Sequence, residues 1–348
     1  MQHRKLPPKR DFYEMGIDKI FFIDIETVGE SRHYEDLHPT HQELWRKKAE
    51  NLMWYSKKYQ NQHQQMIDKD AATDKNAIIS DVYQKEAGIH SEFGKIVCIS
   101  IGFLMKTPSD APQSNTSQSN TSQSNAPQSN PPLPNNTPQS NNTAPSNTAF
   151  SLSFRVNSFY GTDEKEILNR FYDTLEKYSD YYLCAHNGFN FDFPFICRRS
   201  IIHHMSLPYT LQIIKKRPWD TYWLLDTMDL WQFNGRKNFT SLETLAHVLD
   251  FPSPKNITTH TKSSSIEEQS IEQKSTEQKI DGSAIHNLYY DEQDFETIRK
   301  YCERDCLAVA QIVLRLRELP TIKPDNVFSV IDKATAAADK GEVVEHPF

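Results

Sequence analysis

Lys19-Ile-Phe-Phe-Ile-Asp-Ile-Glu26 is a short apolar run that ends in two acids. Its length and β-branched content predict a buried central strand. Alternate residues of a strand share a face, so Asp24 and Glu26 project the same way. Two carboxylates side by side at the edge of a core repel and desolvate each other unless a cation lies between them. The competing reading is that the strand emerges into water here and both acids are solvated.

Around this strand the remaining elements predict a mixed sheet flanked by helices, an α/β fold. Gly94–Leu104 and Ser151–Tyr160 are expected strands, the second placing Leu152, Phe154, Val156, Ser158 and Tyr160 on one face. Tyr181–Ala185 is a fourth strand, followed by a His186-Asn-Gly188 turn. Helices are expected from Thr162 (with a capping box) to Tyr178, from Asp192 to His204, from Thr240 to Leu249 and from Asp294 to Leu316. One or two more lie within His41–Lys85, where Leu44, Trp45, Leu52, Trp54 and Tyr55 recur at loosely helical spacing. Thr107–Ala149 is nearly all Ser, Asn, Gln, Thr, Pro and Ala, and Ser253–Ile280 is Ser/Thr/Glu/Gln/Lys-rich. Both read as disordered inserts, 107–149 being an expanded hairpin loop, because they hold too little apolar surface to offset chain entropy. The chain is then one domain over 1–320 with a charged tail over 321–348.

Of the 348 residues, 37% are hydrophobic, and no run of about 18 apolar residues suits a membrane span. The basic N-terminus lacks an apolar segment behind it, so no secretory signal is expected. Cys98, Cys184, Cys197, Cys302 and Cys306 form no C-x-x-C pair and read as buried, reduced thiols, which suits a cytoplasmic protein. A net charge of −7 argues against coating of long duplex DNA, so any nucleic-acid contact should be small and local. With only 10 glycines there is no Gly-rich phosphate loop.

Two further acids stand where acids are costly. Phe295, Ile298, Cys302, Asp305, Val309, Ile312 and Leu316 step by three or four along one stripe, which places Asp305 at a core position. Tyr301 lies one turn earlier on nearly the same face. A structural salt bridge for Asp305 and a satisfied core hydroxyl for Tyr301 are the plainer alternatives. Asp192, with Pro194 in its first turn, reads locally as an N-cap. His186 and His203-His204 suit structural or solvated roles better than ligation. Lys215-Lys-Arg217-Pro-Trp219 and Arg236-Lys237 interleave charge with aromatics, a pattern for gripping a single strand or for an ordinary solvated loop.

Taken in order, these segments resemble the DEDD exonucleases of the ribonuclease H-like superfamily. Phe22-Ile-Asp24-Ile-Glu26-Thr27 matches the first motif, His186-Asn187-Gly-Phe-Asn-Phe191-Asp192 the second, and Tyr301-Cys-Glu-Arg-Asp305 the third, in its tyrosine form. The segments look most similar to the proofreading exonuclease domain of family B DNA polymerases in its stand-alone bacterial form; the absence of a following polymerase palm motif and the two long inserts depart from the family pattern. The resemblance implies a ribonuclease H-like sheet and hydrolysis of phosphodiesters from the 3′ end. It implies Asp24, Glu26, Asp192 and Asp305 as ligands of two Mg²⁺ or Mn²⁺ ions, and Tyr301 as the residue that orients the attacking water. Thr27 and Asn187 are carried over as contacts to the terminal nucleotide.

The implied partner is a single-stranded or frayed 3′ end of DNA. RNA remains an alternative, because nothing visible senses the 2′-hydroxyl. A catalytically silent nucleic-acid-binding module and a scaffold acting through the Asn/Ser-rich insert complete the set. Neither a membrane nor a particular protein partner is implied.

Overall fold

The computed structural model describes residues 5–68, 72–108, 150–235, 239–254, 256–259, 276–279 and 284–333. Most of the 107–149 and 253–280 stretches, Arg236 and Lys237, and the tail beyond 333 lie outside them.

β1 (Ile20–Gly29) is the central strand that its apolar run predicts. It pairs antiparallel with β2 (Gly94–Pro108), and β2 pairs antiparallel with β3 (Phe150–Tyr160). On its other side β1 pairs in parallel with β4 (Tyr182–Ala185), which pairs in parallel with β5 (Leu224–Asp226). The β2–β3 ladder runs out to Pro108↔Phe150, and residues 109–149 between the two strands lie outside the described residues. A two-strand ladder of β6 (Asn256–Thr259) and β7 (Thr276–Lys279) corrects the expectation that all of 253–280 is unstructured. Asn256-Ile-Thr-Thr259 is rich in β-branched residues, which favour a pleated backbone.

The sheet also reaches past residue 320, the expected domain boundary. β8 (Val327–Ser329) adds in parallel to β3, giving the order β5-β4-β1-β2-β3-β8. Gln311 holds the approach to it through paired 2.9 Å hydrogen bonds, its Nε2 donating to the Ile322 carbonyl and its Oε1 accepting the Ile322 amide. The result is a mixed six-stranded sheet flanked by helices, the α/β architecture of a ribonuclease H-like fold.

Three helices follow β1 where one or two are expected: α1 (Pro39–Tyr55), α2 (Gln60–Asp68) and α3 (Ala72–Glu86). Their buried stripe is Trp45, Ala49 and Met53, whereas Leu44, Trp54 and Tyr55 are exposed. With Ile79, Val82, Tyr83 and Phe93 this stripe forms a second small core beside the end of β1. α4 (Glu164–Lys177) starts two residues later than expected, because Asp163 rather than Thr162 is the cap. The Asp163 carboxylate accepts the Lys165 and Glu166 amides at 2.9 and 3.1 Å, and a charged acceptor is favoured at that end of a helix dipole.

α5 (Asp192–Ile202), α6 (Thr227–Trp231), α7 (Leu242–Val248) and α8 (Ala284–Asn287) lead to α9 (Phe295–Leu316). α9 packs on β1, β2 and β3. Its predicted stripe holds, with Ile298, Cys302, Asp305, Val309 and Ile312 buried. Among the described residues no helix is long and apolar enough to cross a membrane.

Candidate active site

Cross-strand register builds the floor of the site. Asp24 stands opposite Ser100, and Ser100 opposite Ser158; one row further on, Glu26 stands opposite Cys98, and Cys98 opposite Tyr160. Directly opposed residues share a face, so both acids point to the side that α9 covers. Ser100 and Ser158 are small and bond to each other at 2.8 Å, which lets the helix approach closely. Ser158 Oγ in turn donates to Glu303 Oε1 at 2.9 Å, and Arg299 Nη1 holds the same oxygen at 2.7 Å. The register of β1 against β2 slips between Glu26 and Thr27, a bulge of the kind that re-aims side chains at sheet ends.

The solvated reading of the acid pair fails. Glu26 is only 7% exposed, and Oδ2 of half-buried Asp24 is sealed from solvent with no hydrogen-bond partner. Burial, then the Asp305, Glu26 and Asp192 charges, push the Asp24 carboxyl well above the usual carboxylate range. Burial and Asp305 do the same to Glu26. Asp305, 9% exposed, therefore acts electrostatically on both acids from α9. Tyr301, 6% exposed, packs one turn earlier among Val28, Cys98 and Cys302.

Asp192 reaches the site by another route. β4 pairs with β1 only over Ile20–Phe22, so the next stretch of that edge of β1 needs other partners. Asp192 accepts a backbone hydrogen bond from Ile25, between the two strand acids. The N-cap reading is corrected: Phe191 occupies the cap, and Asp192 is the first helical residue. Burial pushes its carboxyl up to about 8, aided by the charges of Asp226 and Asp305.

The two expected nucleotide contacts differ. Thr27 lines a groove of about 440 Å³ with Glu26, Phe191, Lys58, Glu86 and His286. Asn187 is not part of that lining. Its φ is 62°, its amide donates to Asp226, and its side-chain oxygen accepts from Asn190 Nδ2 at 2.9 Å. Two of the sequence's candidate histidines have hydrogen-bond partners, and His204 is exposed. His186 bridges Thr227 Oγ1 and the Thr240 carbonyl, and His203 Nε2 lies 2.6 Å from Glu164, which also pairs with Arg199. In the basic–aromatic stretch, Lys216 sits over the Trp223 ring and Arg217 over Trp219.

Asp226 is the residue that motif reading passes over. Its carboxylate accepts the amides of Asn187 at 2.8 Å, Phe189 at 3.1 Å and Met228 at 2.9 Å, which pins the turn that delivers Asp192. The available signal is Leu224-Leu225-Asp226, a shorter version of the apolar run ending in an acid at Asp24. Asp226→Ala orphans three donors at a buried position, and a loss of about 2–4 kcal/mol is expected. Urea unfolding of variant and wild type measures it; a change within error would remove Asp226 from this role.

Residues 146–273 match a family described as a predicted 3′-5′ exonuclease related to the exonuclease domain of PolB. That stretch is similar to a nuclease. It carries Asn187, Asp192 and Asp226, while Asp24, Glu26, Tyr301 and Asp305 lie outside it. No curated protein matches the chain significantly.

Proposed function

We propose that the chain is a metal-dependent 3′→5′ exonuclease of the DEDD tyrosine subtype, acting on single-stranded or frayed DNA ends. The observation that carries this reading is the buried Asp24–Glu26 pair, with an orphaned carboxylate oxygen and two more acids acting on it from α5 and α9. Such a set is costly to keep without a cation, and its hard oxygen donors suit Mg²⁺ or Mn²⁺. The family match over 146–273 supports the nuclease class independently of Asp24, Glu26 and Asp305, which lie outside it.

Asp24, Glu26, Asp192 and Asp305 would hold the ions, two in the usual arrangement for phosphodiester cleavage. Bound there, the ions supply Lewis acidity and positive charge against a phosphate in transition. The protein's own part is to position. Tyr301, one turn before Asp305 on α9, would orient a water for in-line attack through its hydroxyl. Thr27 and Phe191, which line the groove beside Glu26, would hold the terminal sugar and base. Asn187 contributes through the turn that Asp226 pins. RNA is the alternative substrate.

Digestion of oligonucleotides labelled at either end, with and without Mg²⁺ or Mn²⁺, tests the reading. Mononucleotides should leave the 3′ end of single-stranded DNA, only with metal, and more slowly from RNA. Release from the 5′ end, or cleavage undiminished by EDTA, contradicts it.

A further inference from the structure

The nuclease reading gives no part to the thiol that lies against the acid pair. Among the described residues, Asp24, Glu26 and Cys302 each present one donor atom, all within 4.8 Å of one another. Both carboxylates face the third residue with oxygens that no hydrogen bond occupies. Glu26 is more than nine-tenths buried and has no hydrogen bond or ion pair among the described residues. Asp24 Oδ2 is sealed without a partner. Cys302 comes from the opposite layer, on the face of α9 that meets β1. It is fully buried, and its Sγ donates to the Asp24 carbonyl at 3.3 Å.

Sulfur changes what the gap prefers. Mg²⁺ takes oxygen donors and gains nothing from a thiol, whereas Zn²⁺ and Cd²⁺ gain most from thiolate. Around a tetrahedral zinc, Zn–O near 2.0–2.2 Å and Zn–S near 2.3 Å place donors about 3.5 Å apart, so small side-chain movements close the set.

We propose that Asp24, Glu26 and Cys302 form a mixed oxygen–sulfur cradle that binds a thiophilic divalent cation, Zn²⁺ or Cd²⁺, in preference to Mg²⁺. Binding exchanges the Cys302 S–H proton, which leaves to solvent, for a sulfur–metal bond; no electrons are transferred. Because the cradle shares both strand acids with the proposed nuclease site, its occupation inhibits cleavage. That consequence rests on the exonuclease reading, whereas the binding itself does not.

The test titrates the full chain with Cd²⁺ alone, following thiolate-to-cadmium charge-transfer absorption in the ultraviolet and heat by calorimetry. One equivalent should produce the band and bind more tightly than Mg²⁺. Cys302→Ala should abolish the band and weaken Cd²⁺ at least about tenfold while leaving Mg²⁺ binding unchanged. Cys98→Ala, which removes the neighbouring thiol opposite Glu26, should keep the band. Glu26→Gln retains every sulfur and should still weaken Cd²⁺, which guards against a folding defect in the cysteine variant. A band that survives Cys302→Ala, a band lost in Cys98→Ala, Cd²⁺ affinity unchanged by Glu26→Gln, or no preference over Mg²⁺ overturns the proposal. Failure of Mg²⁺-dependent DNA digestion would sink the nuclease reading and leave these measurements intact.

Discussion

Asp24→Asn is expected to abolish metal-dependent cleavage and, in EDTA, to melt at a higher temperature than the wild-type chain. The opposite signs follow from one geometry. Asp24 is pushed toward its neutral form by burial and by Asp305, Glu26 and Asp192 together. An amide of the same shape removes one of those charges without opening a cavity. The variant is therefore expected to be the more stable of the two without metal, because a neutral side chain pays neither the burial nor the like-charge penalty. The same change deletes a carboxylate that the proposed function assigns to metal binding, so turnover should fall about a thousandfold or more. Divalent metal should raise the wild-type melting temperature by selective binding to the folded state, and should do little for the variant. Calorimetry in EDTA and in Mg²⁺, alongside an oligonucleotide assay, reads both effects. A variant that melts lower than wild type in EDTA would mean that Asp24 stabilises the metal-free fold, which the electrostatic account forbids.

The sheet and the site were unequally legible in the sequence. β1 could be read because an apolar run closing in two acids is rare and has a strand's period. Asp305 could be read because helical spacing placed it inside its own apolar stripe. What escaped depends on partners far away in the chain. β5 and β8 are three residues each, too short for any periodicity, and exist because β4 and β3 offer them an edge. Asp226 looks like an ordinary helix cap until the fold brings the Asn187 and Phe189 amides to it. Ser100 and Ser158 look like polar intrusions in strands, yet their smallness lets α9 descend on the acids. Cys302 sits in the motif between Tyr301 and Asp305, and only the docking of α9 on β1 turns its sulfur toward Asp24. Even the helix starts at α4 and α5 were decided by which backbone amides a carboxylate could reach: Asp163 captures two in its own first turn, while Asp192 takes one from β1.

In the absence of divalent metal, the protein should lose stability as pH rises from about 6.5 to about 8, and saturating Mg²⁺ should remove that slope. The Asp192 carboxyl is raised from 3.8 to about 8, and Asp24 and Glu26 are raised in the same direction. Between the unfolded and folded values, the folded chain keeps a proton that the unfolded chain has released. Stability therefore falls with rising pH, by about 2 kcal/mol per retained proton over 1.5 pH units. Below pH 6.5 the effect is masked, because His90, His186 and His286 are lowered by burial and push the other way as they deprotonate. Asp18 and Glu296 are lowered by their lysine and arginine partners, so their contributions change only under more acidic conditions. The neutral-to-alkaline window thus isolates the acid cluster. Metal binding needs the carboxylates ionised, so it grows stronger over the same window and opposes the loss. Melting temperatures at pH 6.5, 7.0, 7.5 and 8.0, in EDTA and in Mg²⁺, separate the two regimes, and Asp24→Asn should flatten the EDTA series. A metal-free melting temperature that stays level or climbs across these four points would show that the acids ionise independently, and so do not share one buried site.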